Sequence, residues 1–229
     1  MPKTAITIAM INNMPFIQAA YFESMIPLLF EKKKKNEIAF MNVKAFPVDF
    51  ARNQAVKNFL NAEQYKTCEW IGWLDIDMTF PKNMFNIMLE ECQDRDIKVM
   101  SATYFKRNFK NEIVGWRYDL NNKISEPVLD GSIQEVEVIG MGACIIHRTV
   151  LERVGYPWFK YGALHENLDG LATEDIQFCD RCREIGEQIY IHTGIYCGHL
   201  MTIENVHNRI TCTSLSDGKA ECDANTASI

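Results

Sequence analysis

Three things are missing from this 229-residue sequence. No run approaches the ~20 apolar residues of a membrane-crossing helix, so no membrane span is expected. Positive charge is in short supply: 24 lysines and arginines stand against 30 aspartates and glutamates, a net −6. Such a balance argues against a nucleic-acid partner. The third absence is a glycine fingerprint. The first strand-like run, Ala5–Ile11, leads into Asn12-Asn13 and Pro15 rather than G-x-G-x-x-G, which disfavours a dinucleotide-dependent dehydrogenase. Nor do the eight cysteines form a framework. Cys179-x-x-Cys182 has no second CxxC to complete a zinc site, and Cys144 sits in the apolar run Ala143-Cys-Ile-Ile146. Buried free thiols in a reducing compartment fit this usage.

The apolar content is 47%, enough for one sizeable core. Strand and helix signals alternate through the first half. Residues 4–11, 37–46, 69–75 and 97–104 read as strands. Residues 16–30, 49–61 and 81–92 read as helices, with Asp49 as an N-cap and Pro81 at the start of the third. One early lysine and no long hydrophobic region make residues 4–11 a core strand and not a leader. The basic run 32–35 suits a solvated helix end. Later come strand-like runs at 113–120, 133–147 and 188–197, a short helix at 149–154, a long loop at 156–171, and a helix at 173–185 stopped by Gly186. The expected fold is α/β, a mainly parallel sheet flanked by helices, as one domain over 1–212 with a polar tail at 213–229. Ligands of such sheets bind beyond the carboxyl ends of the strands.

At one of those ends lies the most informative feature, Asp75-Ile-Asp77, closing the apolar run Trp70-Ile-Gly-Trp-Leu74. Residues two apart in a strand share a face, with Cα atoms about 6.6 Å apart. Two carboxylates there suit a hard divalent cation whose remaining positions are filled by phosphate oxygens. An acidic strand-end loop with no ligand would look the same.

Four segments share order and spacing with a known family. They are Ala51-Arg52-Asn53; Trp73-Leu-Asp75-Ile-Asp77-Met-Thr-Phe-Pro81; Val99-Met-Ser-Ala-Thr-Tyr104-Phe-Lys-Arg107; and Gly140-Met-Gly142 running to Gly155, followed by Glu174-Asp175 through Gly186 and by His199. Together they resemble the small, metal-dependent GT-A glycosyltransferases of phages, large DNA viruses and bacteria. The resemblance implies a GT-A-like domain with a nucleotide-binding half and an acceptor half. It implies a hexosyl transfer from a nucleoside diphosphate sugar, UDP-linked, to a carbohydrate or glycan acceptor, with Mn²⁺ or Mg²⁺.

Residue roles follow from the same resemblance. Asp77 would coordinate the metal directly, Asp75 would touch the ribose and the metal shell, and His199 would be the third ligand, an imidazole that favours manganese. Asp175, paired with Glu174 at a helix start, would be the general base of an inverting transfer. Arg52 and Asn53 would approach the nucleotide or its phosphates, and Ile11, Asn12 and Asn13 would meet the base. Gly140-x-Gly142 implies close backbone packing near the donor sugar. Trp116, Trp158 and Tyr161 are candidates for stacking on a sugar ring, although aromatic residues in apolar runs are more often core. The loop 156–171 would order over the bound donor.

Two other readings use the same residues. Asp75 and Asp77 also resemble the first motif of haloacid-dehalogenase-type phosphatases, as nucleophile and acid/base, with Ser101 as a second motif. That motif usually lies near the start of a chain, and no lysine with paired aspartates follows. A non-catalytic nucleotide-sugar binding module would keep the aspartate pair without needing Asp175. The composition suggests a cytoplasmic enzyme, in the host cytoplasm if viral, and one domain of a longer polypeptide would look alike.

Overall fold

The computed structural model describes residues 5–11, 18–30, 37–108, 110–118, 124–162, 172–206, 209–213 and 219–221. In chain order the elements begin with β1 (Ala5–Ile11), α1 (Ala19–Phe30), β2 (Glu37–Val43) and α2 (Val48–Asn61). Next come β3 (Trp70–Asp75), β4 (Met78–Thr79), α3 (Met84–Arg95), β5 (Val99–Thr103), β6 (Gly115–Tyr118) and β7 (Ile124–Ser125). Then follow β8 (Ile133–Val136), β9 (Val138–Ile139), β10 (Ala143–His147), α4 (Arg148–Val154) and α5 (Glu174–Glu184). The chain continues through β11 (Ile189–Tyr196), β12 (Gly198–His199), β13 (Thr202–Val206), β14 (Arg209–Thr213) and β15 (Lys219–Glu221).

Seven strands form the central sheet in the order β2-β1-β3-β10-β5-β11-β8. The pairs β1–β2, β1–β3 and β5–β11 are parallel, while β10 and β8 run against their neighbours. The mainly parallel α/β sheet flanked by helices is therefore present. Its middle strands are apolar on both faces because helices cover both. Ile71 and Trp73 of β3 enter the core under α2, α4 and α5, whereas Trp70 and Leu74 enter the core under α1 and α3. Period-two alternation therefore gives Asp75 the same face as Trp73, the face that α2 covers.

Element boundaries moved where local chemistry overrode pattern. Pro47, not Asp49, stands at the N-cap of α2, and Asp49 lies in its first turn. Pro81 belongs to the turn before α3, where its carbonyl accepts from Met84 N–H, and Asp96 closes that helix in the left-handed region at φ 55°. Within the segment expected as a tail, Lys219–Glu221 pairs with Thr211–Thr213. Cys68, Cys92, Cys144, Cys179, Cys182 and Cys197 are buried and free, and Cys179 Sγ donates to the Ile139 carbonyl. No helix among the described residues is long and apolar enough to cross a membrane.

Candidate active site

The expected site residues gather at the carboxyl edge of the sheet, but as two clusters. β3 ends at Asp75, and the chain then turns through Ile76 and Asp77. The two carboxylates accordingly do not share a strand face as the D-x-D spacing predicts. Asp75 stays on the α2 side, and Asp77 crosses toward β12.

The first cluster is built on Arg52, which is 2% exposed. Its Nη1 and Nη2 donate to the two oxygens of Asp75 at 3.3 and 3.0 Å, a fork meeting a carboxylate. Nε donates to Glu174 Oε1 at 3.4 Å and lies 3.6 Å from Asp175 Oδ1. The helical spacing of α2 turns Ala51, Arg52, Ala55, Val56 and Phe59 inward, so the guanidinium enters the core edge with its central carbon 5.5 Å above the Trp73 ring. One buried cation thus faces three carboxylates. Burial pushes the Asp175 carboxyl well above its ordinary value, the Glu174 and Asp75 charges add to the rise, and Arg52 opposes it. Burial raises Asp75 as well, against the pull of Arg52. Asp175 Oδ2 accepts from Met141 N–H at 3.2 Å, while Oδ1 is covered and accepts no hydrogen bond.

The second cluster holds Asp77, His199 and Arg107. β12 pairs with β4 so that His199 lies opposite Met78, and Leu200 N–H donates to the Asp77 carbonyl at 2.7 Å. A side chain at Gly198 would sit 2.3 Å from Thr79 Oγ1, so this two-residue ladder closes only around glycine. His199 Nδ1 lies 2.9 Å from the Phe105 carbonyl. A carbonyl only accepts, so Nδ1 carries the proton and Nε2 faces Asp77 Oδ2, 3.6 Å away. Arg107 Nη1 donates to the same Oδ2 at 2.6 Å. Burial pushes Asp77 up, but His199 and Arg107 outweigh it and hold the carboxyl below its ordinary range.

The donor set tests the fit of a divalent ion. Two ligands each about 2.1 Å from one ion can stand up to ~4.2 Å apart, so Asp77 Oδ2 and His199 Nε2 can share one. An imidazole whose other nitrogen is fixed on a carbonyl is the usual arrangement of a metal-binding histidine. Asp75 does not join them, since both of its oxygens face Arg52. Among the described residues no group of three or more His, Cys, Asp or Glu side chains is close enough to hold an ion. The residues fit a two-ligand site, not the expected three.

Other expected residues have structural work. The Asn53 side chain donates to the carbonyls of Asp49 and Phe159 and accepts from the N–H groups of Trp158 and Phe159, so it clamps residues 158–159 onto α2. Arg52 is likewise consumed by carboxylates and does not present itself to a phosphate. Ile11 is a buried β1 terminus, and Asn12 and Asn13 lie outside the described residues, as does most of the loop 156–171. Trp158 is buried, its Nε1–H donating to the Leu151 carbonyl, while Tyr161 is half exposed. The Gly140 and Gly142 approach is to Tyr104, whose hydroxyl accepts from Gly142 N–H at 3.0 Å. A side chain at Gly140 would lie 2.1 Å from that oxygen. Arg107 and Tyr104 were visible only as parts of a motif, with nothing in their spacing to announce a partner.

No protein-family model and no curated protein matches the chain. Solved structures do. A197 from STIV superposes with a TM-score of 0.59 at 16% identity, over 99% of this chain and 98% of that one. GalNAc-T7, solved with UDP, GalNAc and Mn²⁺, superposes with a TM-score of 0.50 at 11% identity, over 86% of this chain and 44% of its own length. At these identities the likeness is one of architecture, and the chain shares its α/β fold with a viral protein and with a glycosyltransferase.

Proposed function

We propose that this protein is a divalent-metal-dependent glycosyltransferase. It moves one sugar from a nucleoside diphosphate donor, UDP-linked, to a hydroxyl of a carbohydrate acceptor. The observation that carries this is the division of the strand-end acids into two clusters of opposite character. Asp77 with His199 is a ligand pair suited to a cation beside a diphosphate. Asp175 is an oriented carboxylate whose basicity burial has raised. The shared fold with a glycosyltransferase solved with UDP and Mn²⁺ supports the same assignment.

Mn²⁺ or Mg²⁺ held by Asp77 and His199 would supply Lewis-acid stabilisation of the departing diphosphate, with the imidazole favouring manganese. Arg107 brings a second positive charge to the same place. Asp75, fixed by the Arg52 fork, would meet the ribose hydroxyls. Asp175 would accept the proton of the acceptor hydroxyl at Oδ2, since Oδ1 is covered. As the acceptor oxygen bonds to the anomeric carbon, the bond to the diphosphate breaks and its electron pair leaves with the diphosphate. One direct displacement of this kind inverts the configuration.

A phosphatase would need the first aspartate as a free nucleophile, whereas both Asp75 oxygens are engaged by a buried arginine. Calorimetric titration of UDP with Mn²⁺ and with EDTA tests the assignment. Metal-dependent binding should disappear in Asp77→Ala and persist in Asp175→Asn, which should lose transfer alone. Equal loss of nucleotide binding in both variants would sink this division of roles.

A further inference from the structure

The molecule has a second concavity that this chemistry does not use. Between the outward face of α2 and residues 156–160 lies a cavity of about 540 Å³, within the roughly 300–1,000 Å³ of small-ligand sites. Asp49, Phe50, Gln54 and Lys57 of α2 form one wall, and Tyr156 and Lys160 stand opposite.

Its far wall is rigid. Asn53 clamps Trp158 and Phe159 from below, and Arg181 donates to the carbonyls of Pro157 and Val154. A segment tied so heavily could bury all its large side chains, yet Tyr156 is 73% exposed, and Phe50 across the cavity is 57% exposed. The Tyr156 ring is held edge-on against Trp158 with centroids 5.6 Å apart, so it is exposed but fixed.

Exposed, fixed rings among amide, ammonium and carboxylate groups match the two-sided chemistry of a sugar. Its C–H faces lie on aromatic rings, and its hydroxyls donate to and accept from short polar side chains. Asp49, Gln54, Lys57 and Lys160 line the cavity and supply such polar groups. An apolar peptide would bury the charged groups of Lys57 and Lys160 without partners.

The cavity adjoins the Arg52 cluster by one turn of α2. Asp49 opens α2 three residues before Arg52, and Tyr161 follows Lys160 directly. Burial first, then the charges of Glu174, Asp49 and Asp175, raise the Tyr161 hydroxyl to about 12.

We propose that this groove is an extended acceptor subsite, binding the sugars of an oligosaccharide beyond the unit that is modified, with Tyr156 and Phe50 as its stacking faces. The assignment rests on the transferase function above, and it makes the acceptor a chain of two or more sugars and not a monosaccharide.

A glycan array carrying mono- to hexasaccharides tests it, probed with wild type, Tyr156→Phe and the double variant Phe50→Ala/Tyr156→Ala. UDP binding with Mn²⁺ is measured on all three proteins. The wild type should retain oligosaccharides in preference to monosaccharides. Tyr156→Phe should keep that binding, and the double variant should weaken it about tenfold or more, with UDP binding equal throughout. Equal glycan binding by the double variant, or none by any of the three, overturns the subsite. Failure of the wild type to bind UDP with Mn²⁺ overturns the transferase function instead, while the array still reads the groove.

Discussion

The two clusters at the sheet edge contain the same kinds of group and are built on opposite principles. Around Arg52 one cation is sealed among three carboxylates, and its side chain is 3% exposed. Around Asp77 one carboxylate meets an arginine and a histidine, with side chains 12% to 18% exposed. The excess negative charge around Arg52, added to burial, raises the proton affinity of Asp175. A single carboxylate facing two nitrogen-bearing groups instead stays ionised and able to exchange partners. The ratio of opposite charges, more than residue type, separates the two clusters.

The largest test of that contrast is Arg52→Met. It strands Asp75, Glu174 and Asp175 without their cation and should lower the unfolding free energy by about 3–5 kcal/mol in urea titration. Arg107→Met, which removes a cation facing one carboxylate and not three, should cost clearly less, and equal losses would erase the distinction. Asn53→Ala comes next, about 2 kcal/mol, because it leaves buried backbone groups of Trp158 and Phe159 without partners.

The clusters should also carry opposite pH signatures. Asp75 and Asp175 are raised in the folded protein, so their contribution to stability is full below the unfolded carboxylate value and is lost as pH rises through their folded values. Asp77 is lowered, so its contribution is present above the unfolded value and is lost as pH falls through the folded one. Urea midpoints measured across pH should show Asp175→Asn flattening the first slope and Asp77→Asn the second. The smallest effect belongs to the surface pair Lys106–Glu112, where Lys106→Ala should change stability by less than about 1 kcal/mol.

Much of this was legible in the sequence, and the remainder was hidden for identifiable reasons. Runs such as Trp70–Asp75 declare a doubly covered strand through unbroken apolarity, and Glu174–Glu184 declares a helix through its acidic start and Gly186 stop. Proximity of Asp77 to His199 follows from the family resemblance, and the β4–β12 ladder brings the two side chains to 3.6 Å. The split of Asp75 from Asp77 was not readable, because it depends on β3 ending at Asp75 and on which helix covers that face. Asn53 misled for a related reason. Its partners at Trp158 and Phe159 lie 105 and 106 residues away, and no local pattern encodes such a clamp. Arg148 is similar, its guanidinium gathering the carbonyls of Phe59, Leu60, Tyr65 and Cys68 from more than 80 residues away in most cases.

The two-residue ladder between β4 and β12 also bears on the order of assembly. His199 reaches Phe105 across 94 residues of chain and Asp77 across still more. Contacts of that separation carry a large loop-closure cost and form late. A nascent or partly opened chain therefore displays Asp75-Ile-Asp77 long before it displays a paired imidazole. If the cation is needed to labilise the donor, an unfinished molecule has no means of spilling an activated sugar into water, and competence arrives only with the closed fold.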